Sequence, residues 1–230
     1  MTERVIAISG AFGALGRAVA AMAARRGLSL ALIDQAPIAP PELEGANTLI
    51  LPGADLASEL GAAAAMAAIR TRFGRLDGLL NIAGTFKWTP LEDSQPADWD
   101  LLWRVNVQTC ANMCRAAIPL LKASGAGRIV NVGAGAAAGK AAAGMGPYTA
   151  SKAGVHKLTE ALADELKGEG ITVNAVLPSK IDTPANRKDM PDAKFDTWVR
   201  PDELAEVMLF LASPEASGIT GALIAVSGRV

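Results

Sequence analysis

Short, nearly uninterrupted aliphatic runs alternate along this chain with longer stretches in which apolar residues recur every three to four positions. The runs at 5–9, 29–33, 48–51, 78–82, 128–132, 171–177 and 222–226 predict strands buried on both faces. The longer stretches at 15–26, 59–73, 99–123, 147–167 and 201–212 predict helices. Their punctuation agrees: Gly27, Gly74, Gly168 and Gly170 stand where helices stop, and Pro201 opens a first turn. Strands alternating with helices of ten or more residues mean βαβ units. Right-handed crossovers then give an α/β fold, a single Rossmann-type doubly wound parallel sheet with helices on both faces. No linker or repeat divides residues 1–230, so one domain is expected. The irregular stretch at 178–200, with Pro178, Pro184 and Pro191, is long enough to expect a functional lid. The Gly/Ala-rich residues 134–146 read as a tight loop.

Composition narrows the function. The 230 residues are 50% hydrophobic but only 4% aromatic, so the core must be aliphatic and Ala-rich. Lys plus Arg number 22 against 23 Asp plus Glu, a net charge of −1, which argues against a nucleic-acid partner or a polybasic membrane contact. Two Cys, Cys110 and Cys114, and one His, His156, argue against a zinc site, and no metal is expected. Both Cys read as small buried hydrophobes. The N-terminal residues lack the basic and apolar regions of a secretory leader, and no run is long enough for a membrane span; a cytoplasmic protein is expected.

Candidate chemistry begins after the first strand, at Gly10-Ala11-Phe12-Gly13-Ala14-Leu15-Gly16. Glycines between a strand and a helix let backbone approach a pyrophosphate, and the helix N-terminus offers free N–H groups to it. Asp34 ends the second strand, where a carboxylate accepts both ribose hydroxyls of NAD and repels the 2′-phosphate of NADP. No basic residue at Ala11 or Phe12 offsets that charge, so NAD(H) is favoured over NADP(H). Asp55 either accepts from an adenine amino group or caps the following helix. Tyr148 and Lys152 lie four apart, on one face of a helix. A neighbouring ammonium lowers the pKa of a phenol from ~10, which suits it to proton transfer near neutrality.

Together these motifs resemble the short-chain dehydrogenase/reductase family along nearly the whole chain. The glycine turn, Asn81-Ile82-Ala83-Gly84, Asn106 within Arg104-Val105-Asn106-Val107, Tyr148-x-x-x-Lys152 and Pro178-Ser179-Lys180-Ile181-Asp182-Thr183 are similar to that family's segments in the same order. The resemblance implies Tyr148 as acid/base, Lys152 as its partner and a nicotinamide-ribose ligand, and Asn106 as holder of a relay water. It implies cofactor contacts from Gly10, Phe12, Gly13, Ala14, Leu15, Gly16, Asp34, Asp55, Leu56, Asn81, Ala83, Gly84, Tyr148, Lys152, Pro178, Ile181 and Thr183. It also implies a homo-oligomer, dimer or tetramer, joined through the helices at 99–123 and 147–167.

One family feature is missing. The serine expected after the fifth strand falls at Ala134 or Gly135, and no Ser occurs between 125 and 150. Quinonoid dihydropteridine reductases, a branch of the family, also lack it. The segments 13–16, 133–137, 144–148 and 153–158 are similar to theirs. So is Leu177-Pro178 with Ile181-Asp182-Thr183-Pro184-Ala185-Asn186-Arg187-Lys188-Asp189-Met190-Pro191, then Phe195 and Trp198. That likeness implies an NADH-dependent reductase of a small conjugated acceptor such as a quinonoid dihydropterin, over which hydride charge is spread. The alternatives are a general reductase of ordinary carbonyls or alcohols, and a non-catalytic dinucleotide-binding protein. His156 faces the site or packs the helix. Trp198 and Phe195 stack on a flat substrate or anchor the loop. Arg187 and Lys188 meet an anion or are solvated.

Overall fold

The computed structural model describes residues 4–230. Seven strands form one all-parallel sheet: β1 (Val5–Ser9), β2 (Ser29–Ile33), β3 (Thr48–Leu51), β4 (Gly78–Asn81), β5 (Arg128–Val132), β6 (Thr172–Pro178) and β7 (Leu223–Val226). Their spatial order is β3-β2-β1-β4-β5-β6-β7. The order reverses between β1 and β4, which pair from Ile6↔Gly78 to Ser9↔Asn81. Adjacent crossovers leave toward opposite faces there and open a crevice at the carboxyl ends of the strands.

Alternating side chains of each strand feed two cores. Ile6 and Ile8 of β1, with Leu30 and Leu32 of β2, face α1 (Ala14–Arg25). Val5 and Ala7, with Ala31 and Ile33, face the opposite layer, which opens with α2 (Glu59–Phe73). That layer continues through α3 (Pro96–Trp103), α4 (Thr109–Ser124) and α5 (Gly146–Leu166). The loop at 178–200 contributes a short α6 (Pro184–Asp189), and α7 (Pro201–Leu211) packs on α1. No helix among the described residues is long and apolar enough to cross a membrane.

The sequence places the third helix too late and too straight. It begins at Pro96, where Gln95 and Asp98 form a capping box. One π turn, Arg104–Gln108, then separates α3 from α4. The lid at 178–200 is not structureless either. Its legs meet at a parallel bridge between Ile181 and Val199. Inside them Arg187 forms a bidentate pair with Asp182 (2.5 and 2.8 Å) and stacks 4.7 Å over Phe195, whose ring meets Trp198 edge-on at 5.0 Å. Trp198 is 2% exposed, so the loop-anchoring alternative holds and a substrate-stacking role for it does not. Arg187 is paired with Asp182 but stays exposed, so the solvated reading of its charge stands.

Candidate active site

The crevice at the β1/β4 reversal is a groove of ≈ 980 Å³. Three glycines shape it for different reasons. Gly10 has φ +69°, and a Cβ there would lie 2.7 Å from the Ala83 amide nitrogen, so the turn and the β4 exit touch only because Gly10 has no side chain. A Cβ on Gly16 would overlap the Gly10 carbonyl, so α1 packs against the turn through bare backbone. At Gly13 a Cβ would meet only the Gly10 carbonyl, at 3.5 Å, which leaves its surface bare toward open space. That is the surface a pyrophosphate needs.

Asp34 ties this turn to β2. Its Oδ2 accepts the Phe12 N–H at 2.9 Å and its Oδ1 accepts the Ala36 N–H at 3.0 Å. Asp55 also lines the groove, but not as a helix cap: α2 starts at Glu59 behind Ser58. The Asp55 carboxylate instead accepts the Ala57 N–H (3.1 Å) and pairs with Arg104 (2.9 Å). Of the expected cofactor set, Gly10, Phe12, Gly13, Ala14, Leu15, Gly16, Asp34, Asp55, Leu56, Ala83, Gly84 and Thr183 line the groove. The Thr183 hydroxyl is also the cap of α6, accepting the Asn186 N–H at 3.2 Å. Pro178 and Ile181 lie outside the lining, in the lid leg.

Asn81 is not at the groove surface. It is buried behind it, its Nδ2 donating to Asn131 Oδ1 (2.9 Å) and to Cys114 Sγ (3.2 Å). Asn131 donates onward to Thr159 (2.9 Å), so this network braces β4, β5, α4 and α5. Cys110 and Cys114 are buried beside it, as their reading as small hydrophobes expects. Sequence reasoning missed Arg104, Gln35 and Pro184 in the lining; the signal present was adjacency, since each sits within two residues of a residue already singled out.

Tyr148 and Lys152 stand beyond the groove lining, on α5. Lys152 is 5% exposed and its Nζ donates to the Val132 carbonyl at 2.8 Å. Asn106, on the π turn, accepts the Thr85 N–H (2.8 Å) and donates to the Thr85 carbonyl (3.1 Å) and Ser151 Oγ (2.9 Å). Gly84 brings these groups together: a Cβ there would meet Asn106 Oδ1 at 3.0 Å and Lys152 Nζ at 3.2 Å. The half-buried Tyr148 ring meets Phe86 edge-on, centroids 4.9 Å apart.

The electrostatics correct one expectation. Burial pushes the Tyr148 phenol up to about 12, rather than an ammonium pulling it down. Burial also pushes Lys152 down to about 8, and its proton is directed at Val132. The free protein therefore holds the Tyr148 phenol protonated at neutral pH. His156 is buried under the β5 exit, its Nε2 accepting the Ala134 N–H at 3.2 Å.

Known proteins resemble this chain over most of its length. A family model described as enoyl-(acyl carrier protein) reductase matches residues 10–228. The short-chain dehydrogenase/reductase cdmF of Talaromyces verruculosus is 31% identical, over 98% of this chain and 96% of its own. The chain belongs to the short-chain dehydrogenase/reductase family. Other relatives are the 3-oxoacyl-[acyl-carrier-protein] reductase FabG of Thermotoga maritima (36% identical over 68% of this chain and 67% of its own) and the D-threitol dehydrogenase of Mycolicibacterium smegmatis (31%, 98% and 92%). A 3-ketoacyl-(acyl-carrier-protein) reductase from Brucella melitensis, solved in complex with NADH, superposes with a TM-score of 0.87 at 31% identity, over 98% of this chain and 97% of that one. As a short-chain dehydrogenase/reductase the chain is an oxidoreductase that uses a nicotinamide dinucleotide, whose part is to give or take the hydride. The bare Gly13 surface and the Asp34 carboxylate fit the pyrophosphate and a ribose of such a molecule.

Proposed function

We propose that this enzyme uses NADH to reduce a small, flat, conjugated acceptor, with a quinonoid dihydropterin as the archetype. The observation that carries this reading is Phe86. Its ring is 51% exposed and set edge-on against the Tyr148 ring at 83°, an apolar wall beside the proton donor. Such a wall suits a planar conjugated ring. The two positions that could carry a serine fit the same reading: Gly135 has no side chain, and Ala134 presents a buried methyl whose own N–H is already engaged by His156. An acceptor that spreads incoming charge over several heteroatoms needs that missing donor least.

Within this reading Tyr148 donates the proton, Lys152 supports it from the next helical turn, and Asn106 orders the approach through Thr85 and Ser151. Asp34 favours NADH, because its carboxylate is fixed by two backbone N–H groups where a 2′-phosphate would sit. The exposed Trp99 and Trp103, which border a hollow of ≈ 240 Å³ with Pro147 and Ala150 of α5, support the homo-oligomer of this reading. A second reading, reduction of ordinary carbonyls or oxidation of alcohols, is favoured by the activities in the relatives' names.

The deciding experiment is NADH oxidation by purified protein with quinonoid dihydropterin, beside a panel of ketones and aldehydes, repeated with NADPH and with Tyr148→Phe. Pterin turnover that prefers NADH and disappears in Tyr148→Phe supports the proposal. Ketone turnover without pterin turnover overturns it in favour of the second reading. Bound NADH with no turnover on any acceptor would return the chain to the non-catalytic class.

A further inference from the structure

The exit of β5 is held to α5 by bonds that the reaction above does not use. Tyr148, Lys152 and His156 occupy successive turns on one face of α5. Lys152 Nζ donates to the Val132 carbonyl at 2.8 Å. Two residues further on, the Ala134 N–H donates to His156 Nε2 at 3.2 Å. His156 is 4% exposed, and a Cβ on Gly133 would overlap its imidazole, so the ring lies directly against the backbone between the two bonds. The glycine at 133 and the histidine at 156 are matched to each other.

We propose that His156 is a positioning residue, which together with Lys152 pins alternate residues of the β5 exit and so sets the distance between segment 132–135 and the Tyr148 phenol. An imidazole accepts at Nε2 only as the neutral ring with its proton on Nδ1. Burial first, and then the Lys152 charge, hold His156 below its ordinary value, while Glu160 acts in the opposite sense and Lys157 in the same one. The ring is therefore neutral at pH 7 and the bond persists there. On the far side, Gly133 N–H donates to the Val176 carbonyl at 2.9 Å, and a Cβ on Gly135 would sit 3.3 Å from the Pro178 carbonyl. The segment is thus fixed from α5 and from β6, the strand that leads into the lid. With no hydroxyl at 134, what this segment offers an acceptor is the shape of its backbone, and His156 sets that shape.

The proposal rests on Tyr148 and Lys152 as the reacting pair, but its first test does not depend on turnover. Amide hydrogen exchange across 128–138 is measured in the full chain for wild type, His156→Leu and His156→Gln. Loss of the acceptor should speed exchange at the Ala134 amide by about 10-fold or more, whereas Gln, which can accept through Oε1, should stay within about three-fold of wild type. In NADH-dependent turnover of quinonoid dihydropterin, His156→Leu should lower kcat about 10-fold with the NADH KM within about two-fold, and His156→Gln should recover at least a third of kcat. Wild-type exchange and kcat in His156→Leu would overturn the proposal, as would a Gln variant as impaired as the Leu one. Should His156→Leu fail to fold, Gly133→Ala applies the same displacement from the other side, and unchanged protection at Ala134 in that variant overturns it. If Tyr148→Phe keeps full turnover, the reaction assignment fails and the exchange result still decides the role of His156.

Discussion

Removing the ammonium of Lys152 should change how the stability of the protein depends on pH. Lys152 is 5% exposed and its proton is held by one backbone carbonyl. Burial brings it from 10.5 in the unfolded chain to about 8 in the folded one. Between those values the unfolded chain binds the extra proton and the folded chain does not, so stability rises with pH across that window. At 1.36 kcal/mol per pH unit, the cost of burying this charge falls by about 2 kcal/mol between pH 7 and pH 9.5. Lys152→Met has no such group. The assay is urea unfolding of both apo proteins at the two pH values. The stability of Lys152→Met relative to wild type should be about 2 kcal/mol greater at pH 7 than at pH 9.5. Two other groups do not disturb the comparison. The Cys114 thiol, held well above its ordinary range by its hydrogen bond with Cys110 and by burial, is common to both proteins, and Tyr148, at about 12, titrates above the window. A difference that stays constant to within about 0.5 kcal/mol would refute the claim that Lys152 is a desolvated ammonium in the free protein.

Two further substitutions test the groove and the missing hydroxyl. Gly16→Ala forces a methyl onto the Gly10 carbonyl, and should weaken NADH binding at least about 10-fold by titration of NADH fluorescence, with loss of about 1–3 kcal/mol of stability; wild-type affinity would mean that the turn is looser than its packing shows. Ala134→Ser places a hydroxyl at one of the two positions after β5 where the family's serine falls, and should raise kcat/KM for a simple ketone about 10-fold while leaving pterin turnover within about two-fold; a gain on both substrates alike would contradict the charge-spreading argument.

The sheet was legible because its residues carry their own burial record. The runs predicted at 5–9, 29–33, 48–51 and 128–132 coincide with β1, β2, β3 and β5, since strands covered on both faces need unbroken aliphatic sequence. The glycine turn was legible for a similar reason, being defined by what a Cβ would strike. What lay hidden depended on long-range contacts. The π turn at Arg104–Gln108 has no sequence signature of its own, and the lid's internal order rests on Arg187 meeting both Asp182 and Phe195. Asn81 looked like a cofactor ligand by its place at the end of β4, but its partner Asn131 lies on the neighbouring strand and turns it into a brace. The direction of the Tyr148 pKa was misread because helical spacing shows that Lys152 is near, and does not show that its ammonium points to Val132 or that burial governs the phenol. Phe86 escaped notice altogether, since its contact with Tyr148 joins the loop after β4 to the first turn of α5, far apart in the sequence.

The anchoring of Trp198 gives the lid its own optical label. Trp88, Trp99 and Trp103 are 58%, 40% and 49% exposed, whereas Trp198 is at 2%. Where no second copy covers Trp99 and Trp103, a soluble quencher such as acrylamide reaches the first three and spares the fourth, leaving a blue-emitting residual signal from a single indole between Phe195 and the bridge at Val199. Movement of the 178–200 loop can then be followed in the unmodified protein, without a dye or an added cysteine, as the moment at which that protected emission becomes quenchable.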